Sequence, residues 1–281
     1  MALSANYLPA LYSLTAVGVW GTSDFLGGLG TRRANTFLFT SFVHASGMIL
    51  AGVAAFAAGR PFPSARPVLW ALAAGALGGI ALAFFYRALG RGQMGLIAPV
   101  AAVLSATIPA VFTAFTDGLP GPRHLLGFLL AGVGVWLISR TESGGTRPEG
   151  LLTAVFCGCG FAGFYLCVHQ ATAGDALWVS VVSRSASLAV TLVFVLVVGK
   201  LGTLPRTILG IAIVAGILDI SGSAVFVRAA QIGRLDAAVF LSSLYPAVTV
   251  LLARVFLHEH FSRARTLGML AALVSVPMIA G

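Results

Sequence analysis

The chain has 281 residues, of which 58% are hydrophobic, 9% are charged and 34 are glycine, and its formal net charge is +9. Soluble globular chains carry about 25% charged residues, so a deficit this large excludes an ordinary water-facing surface and points to lipid. The basic residues stand singly or in pairs at the ends of apolar runs, as membrane-boundary residues do, and are not gathered on the solvated face that a nucleic-acid partner needs.

A transmembrane helix takes roughly 20 mainly apolar residues. Apolar runs between charge and turn punctuation predict helices over residues 7–30, 36–58, 66–90, 94–116 and 122–140, then over 148–173, 177–199, 205–229, 235–256 and 264–280. The first run has no Lys or Arg before it, is too long for a cleavable leader and carries Asp24 inside, so it reads as a retained span. The connections, such as Arg32 to Asn35, Gly59 to Pro63, Thr116 to Pro120 and Glu142 to Pro148, are short polar or Gly/Pro stretches that cannot fold alone. Cys157, Cys159 and Cys167 share one apolar segment and read as small buried side chains, not as a disulfide or zinc framework. His258, Glu259 and His260 are too closely spaced for the HExxH zinc motif and read as a solvated loop, so no metal or cofactor is expected.

The chain repeats itself after about 140 residues. Tyr86, Arg87, Ala88, Leu89, Gly90, Arg91 and Gly92 match Val227, Arg228, Ala229, Ala230, Gln231, Ile232 and Gly233 at an offset of 141 residues. Pro109 matches Pro246 after a four-residue slip, the original offset returns at Leu126 and Gly127 against Leu267 and Gly268, and His44 falls opposite Arg184. An odd number of spans per copy turns the second copy upside down, so the expected fold is an all-α integral membrane protein of ten transmembrane helices in two inverted five-helix repeats, residues 1–141 and 148–281. In such proteins the substrate site lies near the bilayer midplane between the halves, and rocking exposes it to each side in turn.

The pattern resembles the drug/metabolite transporter superfamily, specifically its EamA-type ten-helix members. Its carriers are Trp20, Gly21, Thr22, Ser23, Asp24 and Phe25 in the first span; Tyr86 to Leu89 ending the third; Pro109 and Pro246; Arg184 early in the seventh; and Glu259 nine residues before Gly268. Departures are Phe161, Ala162, Gly163 and Phe164 where a second Trp-Gly would stand, Asp117-Gly118 opposite Glu259, and His44 where many members have Arg. The resemblance implies a secondary transporter of the plasma (inner) membrane that exports or exchanges a small metabolite, an amino acid, amine or drug-like compound among them, and leaves the cargo open. Family members keep both termini in the cytoplasm, whereas the distribution of Lys and Arg, with Arg32, Arg33, Arg91 and Lys200 on the opposite side, points to termini outside.

Asp24 and Asp219 lie near the middle of the first and eighth spans, where an ionisable group costs about 2.5–3.5 kcal/mol even on the lenient scale. One of them is expected to couple protons to substrate or to bind a cationic group; alternatively it is paired with an Arg on a neighbouring helix and only stabilises the bundle. Arg184 and His44 lie about two turns into their spans, a depth from which Arg snorkels to the interface and where His is either a proton relay or a structural residue. Arg87 and Arg228 read as helix-end anchors. Trp20, Tyr86, Phe164 and Tyr245 supply aromatic surface in spans that by resemblance line a central cavity; Trp20 and Asp24, four residues apart, share a helix face. The glycines of Gly75-xxx-Gly79, Gly18-xx-Gly21 and Gly158-x-Gly160-xx-Gly163 are expected to let helices approach closely. The competing reading is an intramembrane protease using Asp24 and Asp219; its glycine-any-glycine-aspartate signature is broken by Leu218, so no enzyme is expected.

Overall fold

The computed structural model describes residues 2–91, 94–116, 118–139, 150–198, 202–257 and 263–280, and among these every regular element is an α-helix. In chain order they are α1 (Ala2–Thr31), α2 (Thr36–Ala57), α3 (Ala65–Gly90), α4 (Met94–Thr116), α5 (Pro122–Ser139), α6 (Leu151–Gln170), α7 (Ala176–Val198), α8 (Arg206–Ile232), α9 (Leu235–Ser242), α10 (Tyr245–Leu257) and α11 (Arg263–Ala280). Helices are what a hydrocarbon solvent demands, because they satisfy backbone N–H and C=O groups within the segment. Among the described residues five stretches, in α2, α3, α6, α7 and α8, are long and apolar enough to cross a membrane. Phe56, Phe115, Leu152 and Val197 are each more than three-quarters exposed, a surface that suits lipid and would aggregate in water.

Helix ends fall where the chain's punctuation stands. Asn35 caps α2, its Oδ1 accepting from the amides of Phe37 at 3.0 Å and Leu38 at 3.2 Å. Asp175 caps α7 in the same way, accepting from Leu177 at 3.0 Å and Trp178 at 3.4 Å. The run expected as one helix over 235–256 is divided. Pro246 has no N–H and its ring would strike the carbonyl of Ser242, so α9 closes there. A tight turn through Ser243 and Leu244, with Leu244 N–H donating to Leu241 O at 3.2 Å, starts α10. Pro109, by contrast, lies inside an unbroken α4.

The helices pack in crossed pairs: α1 along α8, α2 along α7 and α8, α3 along α6 and α7, α4 along α6, and α5 along α11, while α9 and α10 lie on α1. Two of these crossings depend on glycine. A Cβ on Gly75 of α3 would stand 1.9 Å from the Ser183 carbonyl oxygen of α7, and one on Gly216 of α8 would stand 2.1 Å from the Val43 carbonyl oxygen of α2. With no hydrophobic force between helices in lipid, such close backbone approach supplies the attraction. Gly18 meets nothing within 4 Å and is no contact glycine, contrary to the sequence expectation, whereas Gly21 backs onto Tyr245. The cysteines divide as well: Cys157 and Cys167 are buried, but Cys159 is exposed on the outer face of α6, where a thiol is soft enough for lipid.

Candidate functional site

Midway along the bundle, α1, α3, α6, α7, α8 and the start of α10 surround a cavity of ≈ 60 Å³. A water needs about 10–15 Å³ of such space, so the cavity holds a few waters and must widen before it takes a metabolite. Trp20, Asp24, Phe164, Arg184, Asp219 and Tyr245, each a candidate from sequence, line it together with Phe161 and Tyr165. Gly78, Leu82, Ser187 and Ser223 complete the wall. His44 and Tyr86 do not reach the cavity; both are wholly buried behind it.

One side of the wall is polar. The Arg184 guanidinium stands 2.8 Å from Asp219 Oδ2, so the buried arginine is held by an ion pair instead of snorkelling to the interface. Depth explains the difference: the carboxylate on α8 is nearer than the water. The second guanidinium nitrogen donates to Ser223 Oγ, and Ser223 in turn donates to the Asp219 carbonyl at 2.9 Å. His44 Nδ1 lies 3.3 Å from Arg184 Nη1. Arginine only donates, so Nδ1 must accept, which places the imidazole proton on Nε2 and makes His44 the neutral back support of Arg184. Arg184 Nε and His44 Nε2 are buried without hydrogen-bond partners.

Asp24 has different company. It makes no ion pair among the described residues. Its carboxyl faces the Tyr86 phenol, whose oxygen lies 3.4 Å from Ser23 Oγ; Ser23 donates to the Ala215 carbonyl at 2.9 Å. Gly27 makes room for this phenol, since a Cβ there would fall 2.5 Å from the Tyr86 ring. The two aspartates therefore serve differently: Asp219 is neutralised by a cation, whereas Asp24 rests on neutral hydroxyls. An aspartyl protease needs two carboxylates sharing a proton, and a carboxylate committed to Arg184 does not suit that chemistry.

Aromatic rings form the rest of the wall. Trp20 donates its indole N–H to the Asp219 carbonyl at 3.1 Å and packs 5.5 Å from Phe226 and 6.3 Å from Tyr165. Tyr165 in turn meets Phe164 at 5.5 Å and Phe226 at 4.8 Å. Trp20 and Asp24 do share a helix face, as their spacing requires. The repeat-related arginines stay away from the cavity: Arg87 lies 5.8 Å over the Phe37 ring, and Arg228 donates to Gln231 Oε1 at 3.3 Å. Asp117, His258, Glu259 and His260 lie outside the described residues.

Sequence reasoning passed over Gly78, Leu82, Ser187 and Ser223 as cavity residues. Ser223 follows Asp219 by four and Ser187 follows Arg184 by three, so the helical period already placed both beside a flagged residue.

A solved crystal structure is 20% identical, with a TM-score of 0.77, covering 96% of this chain and 95% of that one. At that identity the likeness speaks for the fold alone. No curated protein gives a significant match. Residues 148–281 match the model of the EamA-like transporter family. Over residues 148–281, then, this all-helical integral membrane protein is similar to the EamA-like transporter family, a family of the drug/metabolite transporter superfamily.

Proposed function

We propose that the protein is a secondary transporter of the plasma (inner) membrane that exports a small metabolite by alternating access through the central cavity, with proton movement coupled at Asp24 or Asp219. In this reading the chain forms ten spans, α9 and α10 together making one broken span, in two inverted repeats over residues 1–141 and 148–281.

The observation that carries the reading is the composition of the cavity wall. Four pairs of lining residues stand one repeat length apart: Trp20 with Phe161, Asp24 with Tyr165, Gly78 with Asp219, and Leu82 with Ser223. A site lined twice over by the same positions lies where two halves meet, the place from which alternating access operates. The helix pairing supports it, because exchanging the halves turns α1 on α8 into α6 on α3, and α3 on α7 into α8 on α2, while α2 on α7 and α5 on α11 map onto themselves. His44 and Arg184, one repeat apart, touch each other, as residues at a pseudo-twofold axis do.

The test is flux in proteoliposomes across a panel of amino acids, amines and nucleosides, with Asp24→Asn and Asp219→Asn variants beside the parent chain. Substrate-dependent flux, with coupled uptake reduced at least about tenfold in one variant, is expected. Undiminished coupled uptake in both variants removes the coupling proposal. Cleavage of a helical peptide by the detergent-solubilised protein, without flux, would replace the transporter with the protease.

A further inference from the structure

The hydrogen-bonding groups around the cavity are unevenly spent. Trp20 has given its one N–H to the Asp219 carbonyl, so its indole offers a ligand π surface and no donor. Ser187 donates to the Gly75 carbonyl at 2.7 Å, and Ser223 is held between Arg184 and the Asp219 carbonyl. Each terminal nitrogen of Arg184 already has a partner, Asp219 and His44 for Nη1 and Ser223 for Nη2, and Nε has none. The positive charge of the wall is thus answered inside the wall.

The negative charge is not. Asp24 and Asp219 set two carboxylates against one guanidinium, and the guanidinium belongs to Asp219. An ionised Asp24 therefore leaves the wall one unit negative among the described residues. Trp20, Phe161, Phe164, Tyr165 and Tyr245 surround it with ring surface. A carboxylate beside several rings is complementary to one kind of ligand head, since ring faces and carboxylate oxygens both attract positive charge, and the donors that Tyr165 and Tyr245 add are neutral hydroxyls.

Resting on the transport reading above, we propose that the cavity selects an organic monocation, an amine or onium group seated against Asp24 with its apolar body on the rings of Trp20, Phe164 and Tyr165. Asp24 and Tyr86 then make a binding pair: Tyr86, buried behind the carboxyl, orients it towards the ligand. A zwitterion would need a second, cationic anchor for its carboxylate, and the charge of the Arg184 guanidinium is already balanced by Asp219. An anion meets an unmatched carboxylate and is excluded.

The experiment uses three probes that share a phenylethyl frame on the full chain in detergent and in liposomes: 2-phenylethylammonium, phenylalanine and 3-phenylpropionate. The cation is expected to raise the melting temperature and to bind at least about tenfold more tightly than the other two. Asp24→Asn loses that preference, and Asp24→Glu, which keeps the charge, retains it. Preferred binding of phenylalanine or 3-phenylpropionate, or an Asp24→Asn variant that binds the cation as well as the parent does, overturns the inference. If Asp24→Asn does not fold, the parent chain's order of preference decides alone. The same liposomes, offered the wider panel of amino acids, amines and nucleosides, separate the two levels. Flux of a neutral, zwitterionic or anionic compound without flux of any cation sinks this inference and leaves the transporter. No flux of any compound sinks both.

Discussion

Gly78 and Asp219 stand 141 residues apart, and so do Leu82 and Ser223; all four face the same cavity, yet the first half brings a bare backbone and an alkyl chain where the second brings a carboxylate and a hydroxyl. The same inequality runs through the other matched positions. Trp20 and Asp24 on α1 answer Phe161 and Tyr165 on α6, His44 answers Arg184, and Asn35 answers Asp175 as a helix cap. Matched backbones with unmatched side chains divide the cavity into a polar wall from α1, α7 and α8 and an apolar wall from α3 and α6. On the two-repeat reading proposed above, duplication accounts for a cavity between halves, and divergence of the copies accounts for its chemical direction.

The largest test of that inequality is at the axis. Arg184→Met strips Asp219 of its cation and is expected to cost about 3–5 kcal/mol, read as a fall in detergent melting temperature, whereas His44→Leu removes one neutral contact and costs about 1 kcal/mol. Adding Asp219→Leu to Arg184→Met should recover most of the stability, since a well-packed apolar pair often equals a buried ion pair. Equal losses for the Arg184 and His44 variants would show that the two positions are chemically alike after all. Next come the crossings, where the halves should agree. Gly75→Leu and Gly216→Leu are each expected to lose about 1–3 kcal/mol or more by overpacking, while Gly18→Leu, with open space beside it, is neutral. A tolerated change at one crossing and a damaging one at the other would break the match.

Trp20→Phe gives the matched residue of α6 to α1 and removes the N–H that holds the Asp219 carbonyl. About 1 kcal/mol of stability should go with it, measurable by thermal unfolding. The smallest effect belongs to the caps. Asp175→Asn keeps the acceptor, as Asn35 does on α2, and loses only a half-exposed pairing with Arg60 at 3.7 Å; it should change stability by under about 1 kcal/mol. Asp175→Ala also removes the cap, and about 1 kcal/mol more is expected in the same measurement.

Much of this was legible in the residues. Helix positions followed from apolar runs, because a chain in lipid must close its backbone hydrogen bonds within each run. The division at Pro246 was missed because a proline signals a break without saying whether the helix yields; Pro109 lies inside α4 unbroken. Trp20 and Asp24 were legible as a pair from their spacing alone. Arg184 was misread as a snorkelling residue because its depth was judged along its own helix, with no knowledge of a carboxylate across the gap. Ser187, Ser223, Leu82 and Gly78 drew no notice because such residues are common in any span, and their place in the wall depends on which way each helix is turned.

Hydropathy, helical period and repeat spacing are local or self-comparative quantities, and from them the sequence alone determined a lipid-embedded set of helices, most of their ends to within about five residues, and two costly polar positions. Which aspartate is neutralised was beyond their reach. That depended on the rotation and crossing of α2, α7 and α8, which gather His44, Arg184, Asp219 and Ser223 around one guanidinium from positions that span 179 residues of chain. Tertiary packing gave Asp219 its cation and left Asp24 among neutral hydroxyls because charge pairing is decided by distance in space, at ångström scale, and not by separation along the chain.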